Sequence, residues 1–197
     1  MAMAPTPVML MGTHVRLDPL EPRHAADLTI AAADPRIWLY LTGPQPNTVP
    51  AMQQWIDKAL QAAAGGLQIP FAIIDRAKDR AVGSTRYLEI RSADRGLEIG
   101  STWLGADAQR TAINTEAKYL LLRHAFETLG ALRVQLKTDR RNEKSQRAIE
   151  RLGAVREGIL RKHVVMWDGY VRDSVYYSIT DDEWPSVRVR LEGWLSR

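Results

Sequence analysis

The chain has no cysteine and only two phenylalanines in 197 residues. The first absence excludes a disulfide framework, a thiolate metal site and a cysteine nucleophile at one stroke. No run approaches the roughly 18 apolar residues of a membrane span, so no membrane partner is expected. The four histidines, His14, His24, His124 and His163, show no ligand spacing and are read as structural, with no metal. There is no Gly-x-Ser-x-Gly elbow and no phosphate-binding P-loop. Met1 to Met11 is mildly apolar but carries two prolines and no basic start, which argues against a signal peptide. It is expected to be a flexible extension on a cytoplasmic protein.

What is present is ordinary in amount. Apolar residues make 45% and charged residues 25%, which suits one domain over residues 1–197, burying about 70% of the surface its unfolded chain would expose. The net charge of +4 fits a partner bearing phosphates but is too small to argue for nucleic acid.

The most informative stretch runs from Gly96 to Leu129. Leu97 to Leu104 mixes β-branched and aromatic residues and reads as a strand stopping at Gly105. Ile113, Ala117, Leu120, Leu121 and Leu129 recur near helical spacing, and Gly130 follows as a stop. Between them Ala106 to Thr111 is a short polar connection. A strand that passes through a tight loop into a helix leaves backbone N–H groups unpaired at one spot, backed by the positive end of the helix dipole. Such a spot receives phosphate or another anion.

Along the rest of the chain, His14 to Leu17 reads as a first strand, and a helix is expected from near Pro22 through Ile30. Arg36 to Leu41 reads as a second short helix carrying Trp38 and Tyr40. Thr48 caps a helix in which Met52, Trp55, Ile56, Ala59, Leu60 and Ala63 recur. Ile69 to Asp75 and Ala81 to Ile90 are strands turning at Lys78-Asp79. Arg133 to Thr138 alternates like a half-buried strand. Asn142 to Leu152 is a helix ended by Gly153, Asp168-Gly169 is a hairpin turn, and Thr180-Asp181-Asp182-Glu183 resembles a capping box before a helix with Trp184, Val187, Leu191, Trp194 and Leu195 on one stripe. This order predicts an α+β protein with a largely antiparallel sheet.

Gln109-Arg110-Thr111-Ala112-Ile113-Asn114-Thr115-Glu116-Ala117 resembles the pyrophosphate loop of the GNAT superfamily of acyl-CoA-dependent N-acetyltransferases, Gln/Arg-x-x-Gly-x-Gly/Ala, with Ala112 and Asn114 at the glycine positions. Asn142 to Gly153 is similar to that superfamily's Asn-x-x-Ala/Ser-x-x-Ala/Leu-Tyr-x-Lys/Arg-x-Gly segment, with Ile149 at the Tyr position. Asn114-Thr115-Glu116-Ala117-Lys118 and Arg156-Glu157-Gly158-x-Leu160-Arg161 resemble the RimJ/RimL-like branch, the ribosomal-protein N-terminal acetyltransferase type.

The resemblance implies the GNAT fold: a mixed, mostly antiparallel sheet of about seven strands flanked by helices, with an extra C-terminal helix. It implies transfer of an acetyl group from acetyl-CoA, without a metal, to a primary amine on a protein N-terminus or small molecule. The cofactor would lie on Trp103, Leu104, Gln109 to Thr115, Asn142, Lys144 and Arg147. Arg140 and Arg141 complete a basic cluster whose ordinary explanation is a solvated helix face. Glu98 stands where related enzymes carry a general base; the bland alternative is a solvent-facing glutamate or an ion pair with Arg95. Glu116 competes as a carboxylate but suits support of the helix dipole. Ser145 shares a face with Ala148, Ile149 and Leu152; it either bonds backbone in a first turn or meets the departing thiolate, as the branch's serine is proposed to do. Trp38, Tyr40 and Tyr87 are candidates for an acceptor groove, and equally for core. A protein that binds acyl-CoA without turnover is the rival reading. The C-terminal helix is free to pack inward or against a second subunit.

Overall fold

The computed structural model describes residues 2–196. Eight strands form one sheet: β1 Leu10–Met11, β2 Val15–Pro19, β3 Gln68–Asp75, β4 Arg80–Arg91, β5 Gly96–Leu104, β6 Arg133–Asp139, β7 Val155–Val165 and β8 Val171–Thr180, in the order β1-β2-β3-β4-β5-β6-β8-β7. Every neighbouring pair is antiparallel except β5 with β6. The five helices are α1 Ala25–Ala31, α2 Val49–Ala64, α3 Ala112–Arg123, α4 Glu143–Leu152 and α5 Trp184–Leu195.

The strand beyond the seven expected is β1. Met1 lies outside the described residues. The remainder of the segment read as an extension gives Leu10–Met11 to the sheet edge, and Met3 is buried with its N–H donating to Ser92 O at 3.1 Å. Pro22–His24 forms a single 3-10 turn, and α1 follows it. The second short helix expected over Arg36 to Leu41 is only a 3-10 turn, Pro35–Ile37, capped by Asp34; the chain turns on from there with Trp38 buried in the α1–α2 core and Leu41 N donating to Trp38 O at 3.1 Å.

Two cores explain why β3 is buried along its whole length. Phe71 and Ile73 join the core under α3, whereas Ala72 and Ile74 join the core under α1 and α2. Alternate side chains of one strand thus feed opposite faces. The same alternation puts Leu97, Ile99, Val134 and Leu136 on the α3 face, and therefore Glu98, Gln135 and Lys137 on the other. The C-terminal helix packs inward: Trp184, Val187 and Leu191 are buried in the α3 core, the Trp184 and Phe126 rings stack with centroids 5.4 Å apart, and Tyr119 OH donates to Glu192 Oε1 at 2.7 Å.

Candidate active site

Strands β5 and β6 hold together along three pairs, Gly96 with Arg133, Leu97 with Val134 and Glu98 with Gln135, and then part. Beyond Glu98, β5 runs on to Leu104 paired only with β4, while β6 stays paired with β8 as far as Asp139. At about 3.3 Å per residue the unpaired edge of β5 is roughly 20 Å long. A slot of that length, edged by main-chain groups without strand partners, suits a narrow extended ligand that can accept and donate hydrogen bonds.

The open end of the slot is framed by the starts of α3 and α4. Thr111 caps α3, accepting from Ile113 N at 3.2 Å while its hydroxyl donates to Ala108 O at 2.8 Å. Ala112 and Asn114, at the family's two glycine positions, lie in the first turn of the helix, where no left-handed backbone is needed. The left-handed residue is Arg110, with φ of 63°. Replacement of the two glycines is therefore tolerated for a backbone reason, and the N-terminal amides still point outward. A hollow of about 430 Å³ adjoins this turn, lined by Thr111, Ala112 and Ile113 together with His14, Arg76 and Lys78 and by the carboxylates Asp75 and Asp107. Lys144 Nζ reaches across from α4 to donate to Gln109 Oε1 at 2.6 Å, and Gln109 Nε2 donates to Leu104 O at 2.9 Å.

The outward amides at the start of α3 could receive phosphate, with Arg110 just before this turn and Lys144 held beside Gln109. The rest of the basic cluster does not gather there. Arg140 faces Asp173, Arg141 clasps Asp139, and Arg147 pairs with Glu143 on the solvent face. Thr115 is buried and accepts from Arg151 at 3.0 Å, and the Trp103 ring is buried against Trp38 and Trp55, so neither side chain lines the slot. Leu104 also faces core and offers only backbone.

Glu98 is 1% exposed at the closed end of the slot. Its Oε2 accepts from Gln135 Nε2 at 2.8 Å and faces Lys137 Nζ at 3.0 Å, which replaces both the solvent-facing reading and the Arg95 pairing; Arg95 donates instead to Gly130 O. A Cβ on Gly100 would fall 2.6 Å from Oε1, so glycine there leaves that oxygen its room. Lys137 also lies over the Tyr176 ring, 5.9 Å from its centroid. Tyr176 OH is 3.2 Å from His163 Nε2, and His163 Nδ1 is 3.0 Å from Ser174 Oγ. Burial and the cations Lys137 and Arg172 push the His163 imidazole below its ordinary value.

Gln135 and Lys137 were legible as the polar half of the alternating β6 pattern. On the α3 side of β5, Lys118 is buried with Nζ 2.6 Å from Thr102 Oγ1, and burial pushes its ammonium down to about 7. The available signal was its spacing three, four and seven residues before Leu121, Leu122 and Ala125, which puts it on an apolar face.

Asn142 Oδ1 caps α4 by accepting from Ser145 N at 3.0 Å. Ser145 is half-buried, and its hydroxyl has no hydrogen-bond partner among the described residues. Ile149 is buried in the α3 core. Glu116 is not a dipole group: its carboxylate accepts from Thr13, His14 and Val15 N–H at 2.7, 2.6 and 2.6 Å, clamping the turn before β2 to α3. A Cβ on Gly12 would sit 2.5 Å from that carboxyl carbon. Trp38 and Tyr87 are core and not groove: Trp38 Nε1 donates to Ala32 O, and Tyr87, fully buried on the α3 face, donates its hydroxyl to Leu121 O at 2.6 Å. Tyr40 alone of the three lies near the exposed polar side, with Arg141 5.6 Å from its ring.

Comparison with known proteins agrees with this geometry. Residues 14–155 match the model of the acetyltransferase (GNAT) domain. A GCN5-related N-acetyltransferase from Brucella melitensis superposes with a TM-score of 0.91 at 32% identity over 97% of this chain and 86% of that one. A protein of T. thermophilus assigned as an acetyltransferase does so with 0.89 at 40% identity, over 98% of this chain and 100% of that one. YdaF of Bacillus subtilis (strain 168), whose assigned role is ribosomal N-acetyltransferase, is 36% identical over 91 residues, 46% of this chain, and the match spans 49% of that relative. With a family model covering well over half its length and a parted β5–β6 pair at the head of α3, the chain belongs to the GNAT family of acetyl-CoA-dependent N-acetyltransferases.

Proposed function

We propose that this protein transfers the acetyl group of acetyl-CoA directly to a primary amine, and that the amine belongs to a protein N-terminus or a small molecule. The observation carrying this reading is the slot itself: three rungs of parallel pairing that end at a buried carboxylate, with a helix N-terminus at the other end. The likeness to YdaF supports a protein N-terminus as acceptor, and with it the RimJ/RimL-like branch.

Acetyl-CoA supplies the activated acyl carbon and a thiol leaving group. The chain's own part is threefold. The amides of Ala112 to Asn114, with Arg110 and Lys144, hold phosphate. Glu98 accepts a proton from the incoming ammonium, since an α-amino group with a pKa near 8 is mostly protonated at neutral pH and attacks only as free base. The nitrogen–carbon bond forms, the carbon–sulfur bond breaks with its electron pair leaving on sulfur, and the second proton, shed by the acylated nitrogen, passes to the thiolate or to bulk water. Ser145 donates a hydrogen bond there, which suffices because a thiolate is a good leaving group, with a thiol pKa of roughly 8.5.

Incubating the protein with acetyl-CoA and a panel of amines, and measuring thiol release, tests the reading. Peptides with free N-termini should release thiol faster than their N-blocked forms. Ile149, buried where the family carries a tyrosine, favours a second reading, binding without turnover: acetyl-CoA would then bind by calorimetry while no amine in the panel released thiol.

A further inference from the structure

Lys118 has no part in the mechanism above, yet it is a costly residue to keep. It is 7% exposed in a helix that otherwise turns Leu121, Leu122 and Ala125 toward the same core, and it forms no ion pair among the described residues. An uncompensated buried ammonium costs several kcal/mol, and an apolar side chain of similar volume is the more stable choice. Its single hydrogen bond is to Thr102 Oγ1 at 2.6 Å, and that oxygen lies 2.8 Å from Thr85 Oγ1 on β4. The chain Lys118–Thr102–Thr85 therefore ties α3 to two adjacent strands at one point.

That point is where the β4–β5 ladder breaks. Ser84 and Arg86 oppose Trp103 and Gly100, so β5 carries one residue more than β4 between them, and Ser101 in the excess stretch has φ of 47°. A left-handed serine is strained and persists only where its surroundings hold it. A bulge re-aims the groups around it and bends its strand. The bulge belongs to the β4-facing edge of β5, and the opposite edge of the same Gly100–Trp103 stretch lies along the slot, past the last β6 rung at Glu98.

Resting on the acyl-transfer reading, we propose that Lys118 is a positioning residue: through Thr102 it pins the bulged Ser101–Thr102 stretch so that its backbone faces the thioester carbonyl, and its charge acts there through one hydroxyl. Preorganised donors and charge of this kind favour the transition state over the bound substrate. Loss of Lys118 therefore reduces kcat and leaves the grip on CoA intact.

The test uses the full chain with Lys118→Met, Thr102→Val and the double variant. The expected result is a kcat at least about tenfold lower with KM for acetyl-CoA within about threefold, similar in both single variants and no lower in the double variant. The thermal midpoint of Lys118→Met should not fall, because an apolar side chain replaces an unpaired charge. Independently of turnover, the carbonyl ¹³C resonance of bound [1-¹³C]acetyl-CoA should lie downfield in the wild type and return toward its free value in both variants. An unchanged kcat in Lys118→Met, or the same carbonyl resonance in all proteins, overturns the assignment of Lys118. Absence of thiol release from the wild type overturns the acyl-transfer reading alone, because the carbonyl resonance still decides the role of Lys118; failure of acetyl-CoA to bind sinks both.

Discussion

Glu98 on β5 and Lys118, which reaches β5 from α3, are two buried charges flanking opposite faces of that strand, and they are kept in opposite ways. Glu98 has a cation and an amide on one oxygen, Lys137 at 3.0 Å and Gln135 at 2.8 Å. Lys118 has one hydroxyl, and Glu98 is the ionisable group whose charge favours its protonated form. A compensated charge is stable in place and damaging to uncouple, whereas an uncompensated one is a standing cost that its removal relieves. The contrast separates parts of this molecule that maintain the fold from parts that the fold tolerates for another purpose.

Glu98→Gln tests that contrast most severely. It keeps the shape and the contact with Gln135 but cannot take a proton, so kcat should fall by about a thousandfold near neutral pH. The deficit should shrink as pH rises and the amine arrives already deprotonated. A pH–rate profile with the same ratio at every pH would remove Glu98 as the base.

Next in size is Lys137→Met, the same substitution proposed for Lys118 but on the other face. It leaves a carboxylate buried without its cation and should cost about 3 kcal/mol in urea unfolding. Equal effects of the two lysine substitutions on stability would break the comparison.

Smaller is a pH dependence specific to Lys118. Its ammonium releases its proton near 7 in the folded chain, against 10.5 for the free side chain. Between those values the unfolded chain binds more protons, so the folded state gains stability as pH rises; the penalty is full below about 7 and gone above about 10.5. The wild type should gain about 2 kcal/mol relative to Lys118→Met between pH 7 and pH 9. Parallel stability curves for the two proteins would show that the ammonium is not buried as described.

The smallest effect is that of Arg147→Ala. The Arg147–Glu143 pair is exposed, and its loss should change stability by less than about 0.5 kcal/mol.

Local patterns carried much of this fold. The capped helix at Thr48, the turn at Asp168-Gly169, the alternation of β6 and the strand–loop–helix over Gly96 to Leu129 all rest on neighbours within a few residues, where propensity and periodicity act directly. Tyr87 and Trp38 were open as groove or core because an aromatic residue on a strand or in a turn carries no mark of which face it meets. The short helix over Arg36 to Leu41 failed because Trp38 is held by core partners distant in the sequence, Trp103 among them, and a weak local pattern gives way to such packing. Glu116 was misread for a similar reason: its partners, the N–H groups of Thr13, His14 and Val15, lie about a hundred residues away in sequence.

The sequence by itself determined the lack of any thiol, the order of strands from β2 onward and the strand–loop–helix over Gly96 to Leu129, because each is a matter of composition or short-range spacing. Only the tertiary structure decided that β5 and β6 separate just after Glu98, that Lys137 and not Arg95 compensates that carboxylate, and that Lys118 lies buried beneath a bulge. Pairing register and burial arise from contacts between residues far apart in the chain, and the energy of a charge depends on what surrounds it, which no local pattern records.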